Sequence, residues 1–129
     1  MPLLKFDIIR GRSSEEIRKL LDVTHEAMVE AFEVPLTDRY QVVTQHEPEE
    51  LILEDTGLGY RRTADVILLT IISRPRSLAQ KTKFYGLLVE KLQASLSISP
   101  QDVVVSLVEN ADADWSFGCG RAQFITGEL

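Results

Sequence analysis

The sequence predicts an α/β fold of the α+β kind: a tandem repeat of two βαβ units that forms one four-stranded sheet with two helices on one face. An internal repeat indicates this fold, because Arg10-Gly11-Arg12-Ser13 recurs as Arg74-Pro75-Arg76-Ser77, 64 positions later. Each serine is followed three residues later by a Glu or Gln, Glu16 and Gln80, as in a capping box at the start of a helix. Asp38 and Asp102 keep the same offset of 64, and each leads into an apolar run. Four features in one register predict two similar units.

Each unit reads as strand, helix, strand. Apolar residues recur at helical spacing between Ile17 and Phe32, and again between Phe84 and Leu96. The predicted strands are Leu3–Ile9, Tyr40–Thr44, Val66–Ile72 and Val103–Val108. We expect one domain of 129 residues, with repeat units at about 2–45 and 66–109, a connector at 46–65 and a C-terminal segment at 110–129. Pro, Glu and Gly residues predict that the connector is mostly loop, with one short strand at Leu51–Leu53.

The predicted strand from Val66 to Ile72 is apolar at every position except Thr70. Such continuous apolar character is typical of strands that are buried on both faces of a sheet. Two helices can cover only one face, so we expect the second face to pack against another subunit. The sequence therefore predicts an oligomer.

Composition and charge exclude several classes of protein. A hydrophobic content of 44% is enough for a buried core, and 14 basic against 20 acidic residues argue against a general nucleic-acid binder. Neither a membrane span nor a secretory signal is visible, so we expect a cytoplasmic protein. One cysteine excludes a Cys-rich metal site, and His25, expected on the helix surface, has no metal-ligand spacing to His46. We expect neither a metal nor another cofactor.

Three features carry possible chemistry. Pro2, once freed by loss of Met1, would have a secondary amine that can act as acid, base or nucleophile, although Pro after Met also serves simply to control processing. Arg74 and Arg76 lie two apart at a strand end and suit a carboxylate, although they also fit a solvated pair. Asp38 precedes a strand, where a carboxylate is often only a turn residue. The sequence alone does not decide between these alternatives.

Longer motifs point to a known family. The Pro directly after Met1, together with four segments of the chain, resembles malonate semialdehyde decarboxylase and its close relatives in the tautomerase superfamily, over essentially the whole length. The four segments are Asp38-Arg39-Tyr40, Glu54-Asp55-Thr56-Gly57-Leu58-Gly59, Ser73-Arg74-Pro75-Arg76-Ser77 and Asp112-Ala113-Asp114-Trp115-Ser116-Phe117-Gly118.

The resemblance implies roles for the candidate residues. Pro2 would be the catalytic N-terminus after removal of Met1, with Asp38 stabilising its positive charge and placing water. Arg74 and Arg76 would hold the substrate carboxylate. An apolar wall of the pocket would be formed by Trp115, Phe117, Phe124 and Leu129. A homotrimer is implied as well. Arg10 and Arg12 of the first repeat would be structural or surface residues, and Asp102 a turn or cap.

The implied reaction is cofactor-independent decarboxylation of malonate semialdehyde, or a similar small 3-oxo acid, to acetaldehyde and carbon dioxide. Hydration of unsaturated oxo acids would suit the same residues. A keto–enol tautomerase that uses neutral Pro2 as a base is the nearest alternative, and Asp38 argues against it because a nearby anion favours the protonated amine. A haloacrylate dehalogenase is disfavoured because no further acidic residue is recognised for the site. A non-catalytic oligomeric binding protein stays open.

Overall fold

The computed structural model describes residues 2–129, so the expected removal of Met1 lies outside the described residues. The strands are β1 (Leu3–Ile9), β2 (Tyr40–His46), β3 (Ile67–Ser73) and β4 (Val103–Glu109). The helices are α1 (Ser14–Phe32), α2 (Leu78–Leu96) and the short α3 (Gln123–Thr126). The strands form one sheet in the order β2-β1-β3-β4, parallel within each unit and antiparallel between β1 and β3. The predicted fold class is confirmed.

Both capping boxes are present. The Ser13 hydroxyl accepts a hydrogen bond from the Glu16 backbone, and the Ser77 hydroxyl accepts one from the Gln80 backbone. Each long helix ends at a residue in the left-handed conformation, Glu33 or Ser97. The two helices therefore start and stop at equivalent places in the repeat.

The core lies between the two long helices and one face of the sheet. Ile8 of β1 and Leu69 of β3 are fully buried on that face, and the rings of Phe32 and Phe84 meet between the helices with their centroids 5.7 Å apart. On the opposite face, β3 presents half-buried side chains. Neither long helix packs on that face. Within residues 2–129, no helix has the length and apolar character needed to cross a membrane.

The connector differs from the prediction at one point. Its regular structure is a 3-10 turn at Pro48–Glu50, and no strand forms at 51–53. The Asp55 carboxylate accepts hydrogen bonds from the backbone N–H groups of Gly57 (3.1 Å) and Gly59 (3.0 Å). These bonds hold a local turn at 55–59. The predicted strand at 51–53 was wrong, because this segment pairs with none of the four strands of the sheet.

The repeat is shifted by one residue before its last strand. Ile67 follows Leu3 by 64 residues, but Val103 follows Tyr40 by only 63. Leu3 pairs with Tyr40, and Ile67 pairs with Val103 in the equivalent position. The first unit thus has one additional residue before its second strand.

Candidate active site

Strand pairing brings the predicted site residues to one end of the sheet. Leu3 pairs with Tyr40 on one side and with Ile72 on the other. Pro2, which is buried, therefore lies where β2 begins and β3 ends. Asp38 stands in the loop just before β2, whereas Arg74 and Arg76 follow β3. All four residues predicted as catalytic converge on this end.

Asp38 is buried, and its side chain has no hydrogen-bond partner within residues 2–129. The relative exposure of Asp38 is 6%. Neither of its carboxylate oxygens accepts a hydrogen bond from any described residue. Burial raises the pKa of the Asp38 carboxyl above its ordinary value, while the charges of Arg76 and Arg74 act in the opposite direction. With respect to the described part of the chain, both carboxylate oxygens are therefore available to a cationic group, water or substrate.

The loop that carries Asp38 is held by main-chain contacts. The His25 ring donates from Nε2 to the Leu36 carbonyl at 2.7 Å, and the Asp38 backbone N–H donates to the Pro35 carbonyl at 3.0 Å. His25 is 8% exposed. The expectation that His25 lies on the helix surface was wrong, because its ring packs under this loop.

Arg74 is fixed on two sides. Its Nη1 donates to Oδ1 of Asp112 at 3.0 Å, and its Cζ lies 3.8 Å from the centroid of the Phe124 ring. Its Nε is buried, and no described residue accepts a hydrogen bond from it. The guanidinium is therefore oriented while one of its donors stays unused.

Arg76 contacts the end of α1. Its Nη1 donates to the Phe32 carbonyl at 3.3 Å, its Nε lies 3.4 Å from the Ser73 hydroxyl, and its Cζ lies 5.0 Å from the Phe32 ring centroid. Burial and the nearby charge of Arg74 lower the Arg76 pKa, whereas Asp38 raises it. The two arginines and Asp38 thus form one interacting group of charges.

Three of the four residues predicted for the apolar wall are aromatic, and their rings contact one another. Trp115 stacks on Phe117 at a centroid distance of 5.3 Å, and Phe124 meets Phe117 edge-on at 5.4 Å. Trp115 Nε1 donates to the Asn110 side chain at 2.7 Å, while the Asn110 backbone donates to the Ser73 carbonyl at 2.8 Å. These bonds fasten the C-terminal segment to the end of β3.

A cavity of about 380 Å³ opens beside Asp38. Its lining comprises Pro35, Thr37, Asp38, Tyr40, Phe117, Gln123, Glu128 and Leu129. Phe117 and Leu129 of the predicted wall thus reach the cavity, whereas Trp115 contacts Phe117 from behind and Phe124 links Phe117 to Arg74. Sequence reasoning missed Gln123 and Glu128, which carry no motif, and it used Tyr40 and Asp112 only as parts of motifs.

The equivalent residues of the repeat lie at the other end of the sheet and have partners. Arg10 pairs with Glu47 at 3.1 Å, and Arg12 donates to the Asp65 carbonyl at 2.8 Å. Asp102 is fully buried, and its carboxylate accepts hydrogen bonds from the Thr63 N–H at 2.7 Å and the Thr63 hydroxyl at 2.6 Å. Asp102 therefore anchors the connector through its side chain and is not merely a turn or cap residue.

Metal ligands are not clustered in the part of the chain from Pro2 to Leu129. There, no group of three or more His, Cys, Asp or Glu side chains is arranged to hold a metal ion.

Two family models, each described as tautomerase enzyme, match residues 38–118 and 2–61 of this chain. A "probable tautomerase YrdN" of Bacillus subtilis (strain 168) is 52% identical over the full length of both chains. The chain therefore belongs to the tautomerase superfamily.

Similar solved structures include two malonate semialdehyde decarboxylases. A malonate semialdehyde decarboxylase, described with decarboxylase and hydratase activities, is 61% identical with a TM-score of 0.97 and 98% coverage of both chains. The FG41 malonate semialdehyde decarboxylase, inhibited by 3-bromopropiolate, is 38% identical with a TM-score of 0.94, covering 98% of this chain and 97% of its own. A fused 4-OT, solved as a symmetric trimer, shares the fold at 21% identity and a TM-score of 0.79, covering 97% and 98%.

Proposed function

We propose that this protein is a carbon–carbon lyase that decarboxylates malonate semialdehyde or a similar small 3-oxo acid without a cofactor. The observation that carries the proposal is the buried carboxylate of Asp38, which has no hydrogen-bond partner from Pro2 to Leu129. It lies near the charges of two arginines, at the sheet end where Pro2 precedes β1. The 61% identity to a malonate semialdehyde decarboxylase supports the choice of substrate.

The first requirement is substrate orientation. Arg74 and Arg76 bind the carboxylate through charge-assisted hydrogen bonds and turn it so that the bond to be broken aligns with the carbonyl π system. Because carbon dioxide leaves as a neutral molecule, the arginines bind the substrate at least as well as the transition state. Their contribution is therefore orientation and selection, not stabilisation of the developing charge.

The second requirement is a sink for the electron pair. When the carbon–carbon bond breaks, its electrons pass to the aldehyde and form an enolate, which takes up a proton at carbon to give acetaldehyde. Protonated Pro2 donates to the carbonyl oxygen. Alternatively, neutral Pro2 condenses with the aldehyde and releases water, and the resulting iminium accepts the electrons and is hydrolysed after the carbon has been protonated. Asp38 holds the amine in its charged form. The aromatic wall keeps water away and strengthens these interactions.

Hydration of unsaturated oxo acids is proposed as a second activity of the same site. The arginines would hold the substrate carboxylate while Asp38 places the attacking water. The description of the similar decarboxylase, which includes hydratase activity, supports this addition.

Assembly and location complete the proposal. The face of the sheet that neither helix covers packs against further copies, and the homotrimer is the form suggested by the similar fused 4-OT. We place the protein in the cytoplasm. Its partners are a small carboxylate substrate and its own copies, without nucleic acid or membrane.

The decisive experiment uses protein whose mass confirms the loss of Met1. This protein is incubated with malonate semialdehyde, and acetaldehyde release is followed. Saturable release well above that of an Arg74→Ala variant supports decarboxylation with arginine anchoring. No release from correctly processed protein rejects the proposed reaction.

A keto–enol tautomerase is the second candidate, favoured by the name of the 52%-identical relative. Enol-pyruvate ketonisation is measured on the same preparation. Ketonisation that exceeds decarboxylation in kcat/KM would assign the tautomerase instead. If a correctly assembled Pro2→Ala variant keeps all measured turnover, the Pro2 mechanism is excluded for both reactions. If neither reaction is detected, a binding protein becomes the favoured function.

A further inference from the structure

We propose that Asp112 is a positioning residue that, together with Phe124, holds Arg74 with its Nε–Nη2 edge turned toward the substrate carboxylate. This inference rests on the proposed function, because it assigns a task to an arginine that binds substrate. Asp112 was not among the predicted site residues, and the edge of Arg74 assigned to the substrate is the one formed by Nε and Nη2.

The geometry of the guanidinium group carries the argument. A planar guanidinium offers its Nε–H and one Nη2–H along one edge, whereas Nη1 lies on the other side of the group. Asp112 Oδ1 accepts a hydrogen bond from Nη1 at 3.0 Å. The Phe124 ring covers one face of the guanidinium, with its centroid 3.8 Å from Cζ. The remaining edge contains the buried Nε without a partner among the described residues. This edge matches the two oxygens of a carboxylate.

Asp112 itself lies in a fixed segment. It begins the 3-10 turn Asp112–Asp114, in which the Asp114 carboxylate accepts from the Ala111 N–H at 2.8 Å. Two residues earlier, Asn110 is bonded to Ser73, the residue before Arg74. Both partners of the ion pair therefore stand on anchored backbone, and this reduces the entropy cost of holding the side chains in one geometry.

The opposite interpretation is that Asp112 competes with the substrate for Arg74. Asp112 is an anion, and it could act as an internal substitute for the substrate carboxylate. A competitor would occupy the edge that the substrate needs, but Asp112 binds Nη1 and leaves Nε unused. The geometry therefore favours positioning.

The test compares Asp112→Ala with Asp112→Asn, which keeps an oxygen that can accept from Arg74. Because the ion pair is partly exposed, we expect Asp112→Ala to raise KM for malonate semialdehyde by about threefold to fivefold, with kcat changed by less than about twofold. The KM of Asp112→Asn is expected to lie closer to that of the wild type. Glu109→Ala is the matched control, because it breaks the ion pair with Lys81 at the same sheet end without touching Arg74.

A second measurement does not depend on turnover. The Nε–Hε NMR signal of Arg74, assigned with Arg74→Lys, is followed while propanoate is added as a carboxylate that cannot decarboxylate. We expect the signal to shift in the wild type and to require a higher propanoate concentration in Asp112→Ala. An unchanged or lower KM together with unchanged propanoate binding overturns the positioning role. Wild-type protein that binds propanoate but releases no acetaldehyde refutes the proposed reaction, and the propanoate comparison then decides the role of Asp112.

Discussion

Asp38 and Asp102 are both buried before the second strand of their repeat unit, but within residues 2–129 only the carboxylate of Asp102 has hydrogen-bond partners. Thr63 supplies two donors to the Asp102 carboxylate, whereas no residue from Pro2 to Leu129 donates to either carboxylate oxygen of Asp38. An unpartnered buried carboxylate costs stability, and such a cost is expected where a residue serves function. The repeat thus contains its own structural control for the candidate site.

Exchange of each aspartate for asparagine is expected to have opposite effects on stability. Asp38→Asn removes a buried charge and is expected to raise the free energy of unfolding at neutral pH while abolishing most turnover. Asp102→Asn places an amide against the Thr63 donors and is expected to cost about 1–3 kcal/mol. Chemical denaturation of both variants measures the difference. A destabilised Asp38→Asn would mean that Asp38 has a structural partner.

The pH dependence of stability has a definite sign for Asp38. Burial raises its pKa in the folded protein above the ordinary value of 3.8. A raised carboxyl pKa means that the folded state favours the protonated form, so the penalty is absent below 3.8 and grows as pH rises through the raised pKa. The stability gain of Asp38→Asn over the wild type is therefore expected to grow between pH 3.8 and the raised pKa of Asp38, and to stay constant at higher pH. Denaturation curves at several pH values check this, and a gain that is independent of pH would contradict it.

Arg76 is expected to set the acid limit of activity. Its positive charge lowers the pKa of Asp38 against the effect of burial. Arg76→Gln should therefore move the acid limb of the kcat/KM profile to higher pH, in addition to weakening substrate binding. Arg12→Gln, at the equivalent position of the first repeat, is the control and should leave the limb in place. If the acid limb of the kcat/KM profile lies at the same pH in both variants and in the wild type, ionisation of Asp38 does not limit the reaction.

Prediction from the sequence succeeded where a pattern is local or repeated. The capping boxes at Ser13 and Ser77 and the strand that contains Leu69 follow from spacing alone. The location of Glu128 in the cavity does not, because it depends on how the last residues fold back over β2. The missing partner of Asp38 could not be predicted either. Whether a carboxylate has hydrogen-bond partners depends on its three-dimensional surroundings, and the equal spacing of Asp38 and Asp102 in the repeat carries no information about this.

The uncovered face of the sheet is expected to hold the oligomer together. Val108 lies on this face, opposite Ile72 in the strand register, and its relative exposure is 52%. Val108→Asp should shift the sedimentation coefficient of the protein toward that of a monomer. Leu78→Asp is the control, since Leu78 begins α2 on the helical side and is 77% exposed. A monomeric wild type, or equal dissociation of both variants, would rule out this face as the interface.

His25 is expected to affect turnover through the loop that carries Asp38. Its Nε2–H bond to the Leu36 carbonyl holds the backbone two residues before the carboxylate. His25→Gln can place an amide N–H at the same carbonyl, whereas His25→Leu cannot donate at all. Because small displacements of a reacting group are costly, His25→Leu should lower kcat by about tenfold with little change in KM, and His25→Gln should restore much of it.

Thermal denaturation of the two variants separates a local effect from a general loss of structure. Loss of one hydrogen bond is worth about 1 kcal/mol, so both variants should stay folded at the assay temperature. The carbonyl of Leu36 accepts a bond from either a histidine or a glutamine, but only histidine supplies the imidazole ring. Full rescue by His25→Gln therefore assigns the effect to loop placement. Equal loss in both variants assigns it to the imidazole ring itself.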